Sequence, residues 1–163
     1  MFKQIFLPLI AVAGFIVLVG LLSQGKLNFL IPTATPIANS KKIKIENTEI
    51  NIELANTNET RSRGLGNRTK LDEKSGMLFV FSKGSKPTFW MKDTKIALDI
   101  IWIKDKKIVK IDKNVQPEPN VLDVDLKKYP APSEVDYVLE VNGGFTDKNS
   151  IKAGQSLSGL EQL

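Results

Sequence analysis

From Ile43 onward apolar and polar residues alternate with a period of two, and that alternation restricts this part of the chain to sheet. Ile43 and Ile45 alternate with Lys42, Lys44 and Glu46, and Ile50, Ile52 and Leu54 with Glu49, Asn51 and Glu53. Asn47-Thr48 between them reads as a turn, so two half-buried antiparallel strands open the domain. Asn56-Thr57-Asn58-Glu59 offers a capping box, Asn56 as N-cap and Glu59 reaching back, before a two-turn helix that stops at Gly64 or Gly66. Gly76 to Phe81 is apolar on both faces and reads as a central strand.

Leu98 to Ile103 is a second buried run. Ile108, Val109 and Ile111 return after the polar turn at Lys104 to Lys107, forming another hairpin. Tyr137 to Val141 is the last strong strand, with Glu140 on the face of Val138 rather than that of Leu139 and Val141. Gly143-Gly144 ends it, a helical turn over Thr146 to Ser150 follows, and Gly154 precedes a short closing strand. The pattern predicts a mainly β fold: a compact antiparallel sandwich or partly closed barrel with one or two short helices. Between the second hairpin and the last strand, Asp112 to Ser133 carries four prolines and little periodicity. It reads either as a functional loop or as a strap packed by Val121, Leu122, Val124 and Tyr129.

The N-terminus is of another kind. Ile5 to Leu22 is uncharged for 18 residues, enough to cross a bilayer as a helix. A signal peptide favours a shorter apolar core followed by small residues at the cut, whereas this run ends Gly20-Leu21-Leu22-Ser23-Gln24. The sequence thus favours an uncleaved transmembrane anchor over 1–26, a linker over 27–40 containing Pro32 and Pro36, and a globular domain over 41–163. Membrane proteins of this plan usually hold the domain outside the cytoplasm, so the expected location is the cell membrane, single-pass, with the domain extracytoplasmic.

Composition removes many chemistries. With no cysteine and no histidine, disulfides, thiolate catalysis, the usual zinc sites and Ser-His-Asp triads are excluded. Beyond residue 40 there remain 21 basic and 18 acidic side chains, interleaved along the chain. Neutralising phosphates needs a stripe of one sign, so no nucleic-acid partner is expected. No phosphate-binding glycine motif is present, and no cofactor is expected.

Thr88-Phe89-Trp90-Met91-Lys92-Asp93-Thr94, with Leu98-Asp99-Ile100-Ile101-Trp102 close behind, sets both tryptophans beside Lys92, Asp93 and Asp99. This run, Arg63-Gly64-Leu65 with Arg68, Gly76 to Phe81, and Tyr137 to Gly144 stand in the order of the DUF192 family. The chain resembles that family of small bacterial and archaeal proteins over nearly all of 49–157. The resemblance implies a compact β-rich domain, often exported behind a signal or anchor, and implies no reaction, the family being of unknown function. Two positions depart from the family pattern: Gly66, where Met is usual after Gly-Leu, and Asp93, where Asn usually precedes the motif Thr.

The candidate binding residues are Arg68, Trp90, Lys92, Thr94, Asp99 and Glu140. Asp99 and Glu140, each embedded in an apolar strand, suit a general-acid pair if they converge. They equally suit structural pairing with Lys92 or Arg68, because a buried charge needs a partner. Asp93, Asp99 and Glu140 are hard oxygen ligands without a cation-binding loop, so no metal is expected. The Arg61, Arg63 and Arg68 cluster reads as solvated charge. Two functions remain: a membrane-tethered extracytoplasmic binding domain for an envelope or wall ligand, with a recognition patch around Trp90 and Lys92, or a hydrolase or lyase using carboxylates without His or Cys.

Overall fold

The computed structural model describes residues 41–162. The expected anchor over Ile5 to Leu22 and the linker lie outside them. Nine strands, two short helices and a terminal 3-10 turn, Leu160–Gln162, follow in order. They are β1 Lys41–Ile45, β2 Thr48–Ala55, α1 Asn58–Arg63, β3 Ser75–Val80, β4 Thr88–Phe89, β5 Leu98–Lys104, β6 Lys107–Val115, β7 Tyr129–Pro130, β8 Tyr137–Asn142, α2 Phe145–Lys148 and β9 Leu157–Ser158. Seven strands form one curled half-barrel sheet in the order β6-β5-β8-β3-β2-β1-β9, and β4 pairs with β7 in a separate ribbon.

The mainly β expectation holds, with corrections of detail. The main sheet is a single curled one rather than a sandwich, and it is not wholly antiparallel. Strand β2 runs parallel to β3, with Ile52 opposite Gly76 and Leu54 opposite Leu78. Parallel neighbours need a crossover of a dozen or more residues, and residues 56–74, containing α1, supply it. The helix starts one residue later than its capping signal suggested. Thr57, not Asn56, is the N-cap, and Thr60, not Glu59, returns the bond to the cap backbone. A hydroxyl serves both halves of a capping box when its spacing fits. Gly64 ends the helix as expected.

The sheet is apolar on both sides where it is central. One face carries Ile43, Ile45, Ile50, Ile52, Leu78, Ile101, Leu139 and Val141, closed by Phe145 and Leu157. The other carries Met77, Phe79, Leu98, Ile100, Trp102 and Val138. Burying one such side chain stabilises the fold by about 1.5–3 kcal/mol, and β3, β5 and β8 contribute them in both directions. The β5–β6 hairpin turns through Asp105 and Lys106, both at positive φ (49° and 61°), the geometry that matches strand twist in a two-residue turn.

Strand order dictates what covers the second face. Since β8 lies between β3 and β5, the 81–97 connection must pass over it, and Phe89, Met91 and Ile96 pack on the face of Val138. The return from β6 to β8 lays Tyr129 and Val135 on the same side. Strand β6 continues to Val115, so the irregular segment begins later than the prolines suggested. Within it Val121, Leu122 and Val124 are exposed rather than packed, and Leu126 is the buried side chain of this stretch. An apolar side chain in a strap alternates without a lattice to fix its parity, so composition alone did not identify which one turns inward.

Asp99 is fully buried on the first face and is saturated. Its carboxylate accepts from the backbone N–H of Asn114 (2.7 Å), Gly144 (3.0 Å) and Thr146 (2.8 Å) and from the Thr146 hydroxyl (2.6 Å). It thereby joins β6 and the start of α2, whose N-cap residue Gly144 has no side chain to offer. Asp99→Asn turns an amide N–H₂ toward one of those donors. We expect it to lose about 2–4 kcal/mol in denaturant unfolding, and a loss below 1 kcal/mol would show that the network is dispensable.

Gly76 faces β8 opposite Val141. A Cβ there would lie 2.6 Å from the Glu140 carbonyl oxygen and 3.0 Å from Val141. Gly76→Ala is therefore expected to force the two strands apart and destabilise by about 1–3 kcal/mol. Unchanged thermal unfolding would contradict this contact.

Candidate functional site

Two connections and strand β3 converge over one spot on β8. The α1 crossover brings Arg61, Arg63 and Asn67, the 81–97 connection brings Phe89, Trp90 and Lys92 to Thr94, and β3 contributes Phe79. They enclose a cavity of about 500 Å³ with Glu140 among its lining residues. The walls are aromatic: Phe89 packs edge-on against Phe79 (4.9 Å between centroids), Phe81 (6.3 Å) and the buried Trp102 (5.5 Å). Such edge-to-face contacts fix ring orientation. Trp90 stands at the mouth, 46% exposed, with the Lys128 ammonium 4.4 Å from its ring centre.

Glu140 is the unusual group. It is 6% exposed, with Met77 and Ile100 directly beside it in the sheet. No hydrogen bond reaches its carboxyl from the described residues, yet its oxygens are not sealed from the cavity. Burial pushes its pKa up to about 8, because an apolar surrounding disfavours the charged form. The other carboxylates in the same row across the sheet are partnered. Glu53 meets Arg68 in a two-pronged pair (2.6 Å each), and Asp112 accepts from the Trp102 indole at 2.7 Å.

Of the six sequence-predicted residues, Trp90, Lys92, Thr94 and Glu140 line the cavity. Arg68 does not; its guanidinium is engaged by Glu53. Asp99 does not either. It lies opposite Val141, whereas Glu140 lies opposite Ile100, so the two carboxylates point to opposite faces. They form no pair, and the partners proposed for them, Lys92 and Arg68, are instead held by Asp123 and Glu53. Asp99 uses backbone amides because the turn after β8 presents two of them, Gly144 and Thr146, and β6 a third, Asn114. Asp93 and Glu140 line the cavity without Asp99, and among the described residues no group of three acidic side chains is placed to hold a metal ion.

Sequence reasoning missed Arg61, Arg63 and Phe89 as lining residues. Arg61 is committed to the carbonyls of Asn56 and Val80 and to the Asn58 side chain, whereas Arg63 has no such partner among the described residues. The signal was the arginine cluster itself, which only the crossover over β8 brings to the cavity. Lys92 is raised above its ordinary pKa by its hydrogen bond to Asp123. It is exposed, so that pair contributes little to stability.

Residues 41–159 match DUF192, described as an uncharacterised ACR. A protein of unknown function from Novosphingobium aromaticivorans is 32% identical, with a TM-score of 0.64, over 72% of this chain and 83% of that one. A candidate transcription regulator from Sinorhizobium meliloti is 28% identical, also at 0.64, over 73% of this chain and 92% of its own. No curated protein matches.

The raised pKa gives a signed prediction. Folded Glu140 holds its proton up to about pH 8, against a reference of 4.5. Its contribution is therefore fully present below about pH 4.5, declines as pH rises, and is lost above about pH 8. Glu140→Gln removes this titration. The variant should match the wild type near pH 4.5 and exceed it in unfolding free energy at about pH 9, by up to about 5 kcal/mol. Parallel stability–pH profiles for the two proteins would refute the burial argument.

Proposed function

The chain belongs to the DUF192 family, and we propose that it is a membrane-tethered binding domain outside the cytoplasm whose ligand enters the cavity above Glu140. The observation that carries this reading is a buried carboxyl left without a protein partner at an opening lined by aromatic and cationic side chains. A group in that position is destabilising unless something besides the fold uses it. Aromatic rings with neighbouring cations suit sugars, peptides or anionic wall polymers.

The tether rests on the uncharged run from Ile5 to Leu22, on its length and on the linker after it. A nucleic-acid role, which the description of the Sinorhizobium relative would suggest, has less support. Basic and acidic side chains are interleaved, and eight ion pairs join them among the described residues. A hydrolase or lyase would have to work from Glu140 without Asp99 beside it.

A reporter active only outside the cytoplasm, fused after Leu163, is expected to be active and to sediment with membranes. Deleting residues 1–26 should abolish both properties. Activity from a reporter that works only in the cytoplasm would reject the tethered, exported reading.

A further inference from the structure

The cavity has two ends of opposite demand. At its floor the Glu140 carboxyl lies among Met77, Ile100 and Phe79, none of which has a side-chain donor. At its rim Arg63 carries a charge with no ion-pair partner among the described residues, while Arg61 and Lys92 are occupied. Phe81 and Phe89, both half-buried, line the same cavity and offer hydrocarbon surface.

A hydroxyl would give the floor one hydrogen bond. An ammonium group gives three donors together with the compensating charge, in surroundings where charges are weakly screened. The rim wants an anion, which Arg holds in two-pronged fashion. Resting on the reading of this cavity as the ligand site, we propose that it takes a zwitterion whose ammonium and carboxylate ends are separated by a hydrocarbon chain, the ammonium on Glu140, the carboxylate on Arg63. A free ω-amino acid presents this chemistry, and so does a peptide ending in lysine, through its side-chain ammonium and terminal carboxylate.

The test is calorimetric titration of the full-length chain with ε-aminocaproate, caproate, ε-hydroxycaproate and n-hexylamine, plus Nα-acetyl-lysine as the peptide end. We expect ε-aminocaproate to bind at least about tenfold tighter than caproate or ε-hydroxycaproate, the ratio set by one charge-assisted contact. Glu140→Gln should erase that advantage and leave caproate unchanged. Arg63→Ala should weaken caproate and ε-aminocaproate together and spare n-hexylamine. The relative affinity of Nα-acetyl-lysine and ε-aminocaproate then distinguishes a peptide end from a free amino acid.

Proton release is a second readout. The charged groups lining the cavity are Arg61, Arg63, Lys92 and Asp93, with Glu140, and burial alone raises Glu140. Binding near pH 7 should therefore release close to one proton in wild type and none in Glu140→Gln. Equal affinity for the amino and hydroxy compounds, retention of the amino preference in Glu140→Gln, or no binding of ε-aminocaproate at millimolar concentration would each overturn this ligand class. If a wall polymer or neutral sugar still perturbed Trp90 fluorescence, the cavity would stand as a site and only the zwitterion would fall. The reporter fusion reads the tether independently.

Discussion

A strand covered on both faces has room for a charged side chain only where the cover leaves a gap or supplies hydrogen bonds. Strands β3, β5 and β8 are in that position, each with apolar side chains entering both clusters. Two carboxylates nonetheless sit among them, and they illustrate the two solutions. Asp99 points to the face where the turn after β8 and the start of α2 bring backbone N–H groups within reach, and it is saturated. Glu140, one register position away on the neighbouring strand, points to the opposite face and into a gap. A single step of parity separates a structural carboxylate from a solvent-reachable one with a raised pKa.

The gap follows from topology. With β8 inserted between β3 and β5, the connection between those two must bridge it, and the parallel β2–β3 pair demands a second bridge. With the return from β6 to β8, three connections lie on this face, and the cavity opens between the first two. The β4–β7 ribbon joins two of them, and the Lys92–Asp123 pair and the Lys128–Trp90 contact tie the irregular segment to the cavity mouth. These ties are exposed and individually weak, whereas the aromatic packing of Phe89 on Phe79 and Trp102 is interior. The walls are thus held by interior ring packing and the rim by exposed contacts.

Much of this was legible in the residues. Period-two alternation located β1 and β2, continuous apolar runs located β3 and β5, and the placement of Glu140 with Val138 rather than with Leu139 already stated which face it serves. What was not legible was pairing across the sheet. Nothing local distinguishes a parallel β2–β3 neighbour from an antiparallel one, and without the register Asp99 and Glu140 look equivalent. Capping residues slipped by one because Asn56, Thr57 and Asn58 all have the chemistry of an N-cap. Charge partners were wrong for a related reason: Arg68 reached Glu53, 15 positions earlier, through a crossover that composition does not encode. The motif around Trp90 divides accordingly, its odd-numbered Phe89 and Met91 going to the core and Trp90 and Lys92 to the mouth.

The two departures from the family pattern meet at the cavity edge. A Cβ at Gly66 would lie 3.8 Å from the Asp93 Cβ, and the Asn67 N–H donates to the Asp93 carbonyl at 2.8 Å. Asp93 is at φ 55°, a left-handed conformation that Asn and Asp tolerate better than other side chains; an Asn at this position is explained by backbone geometry, and Asp preserves that geometry while adding a charge. At 66, a Met side chain would cover the same edge, and its Cβ would press to 2.9 Å from the Arg63 carbonyl. With glycine the edge is bare backbone. The two positions thus leave this edge as bare backbone and add Asp93 to Lys92 and Arg63 among the charged residues lining the cavity.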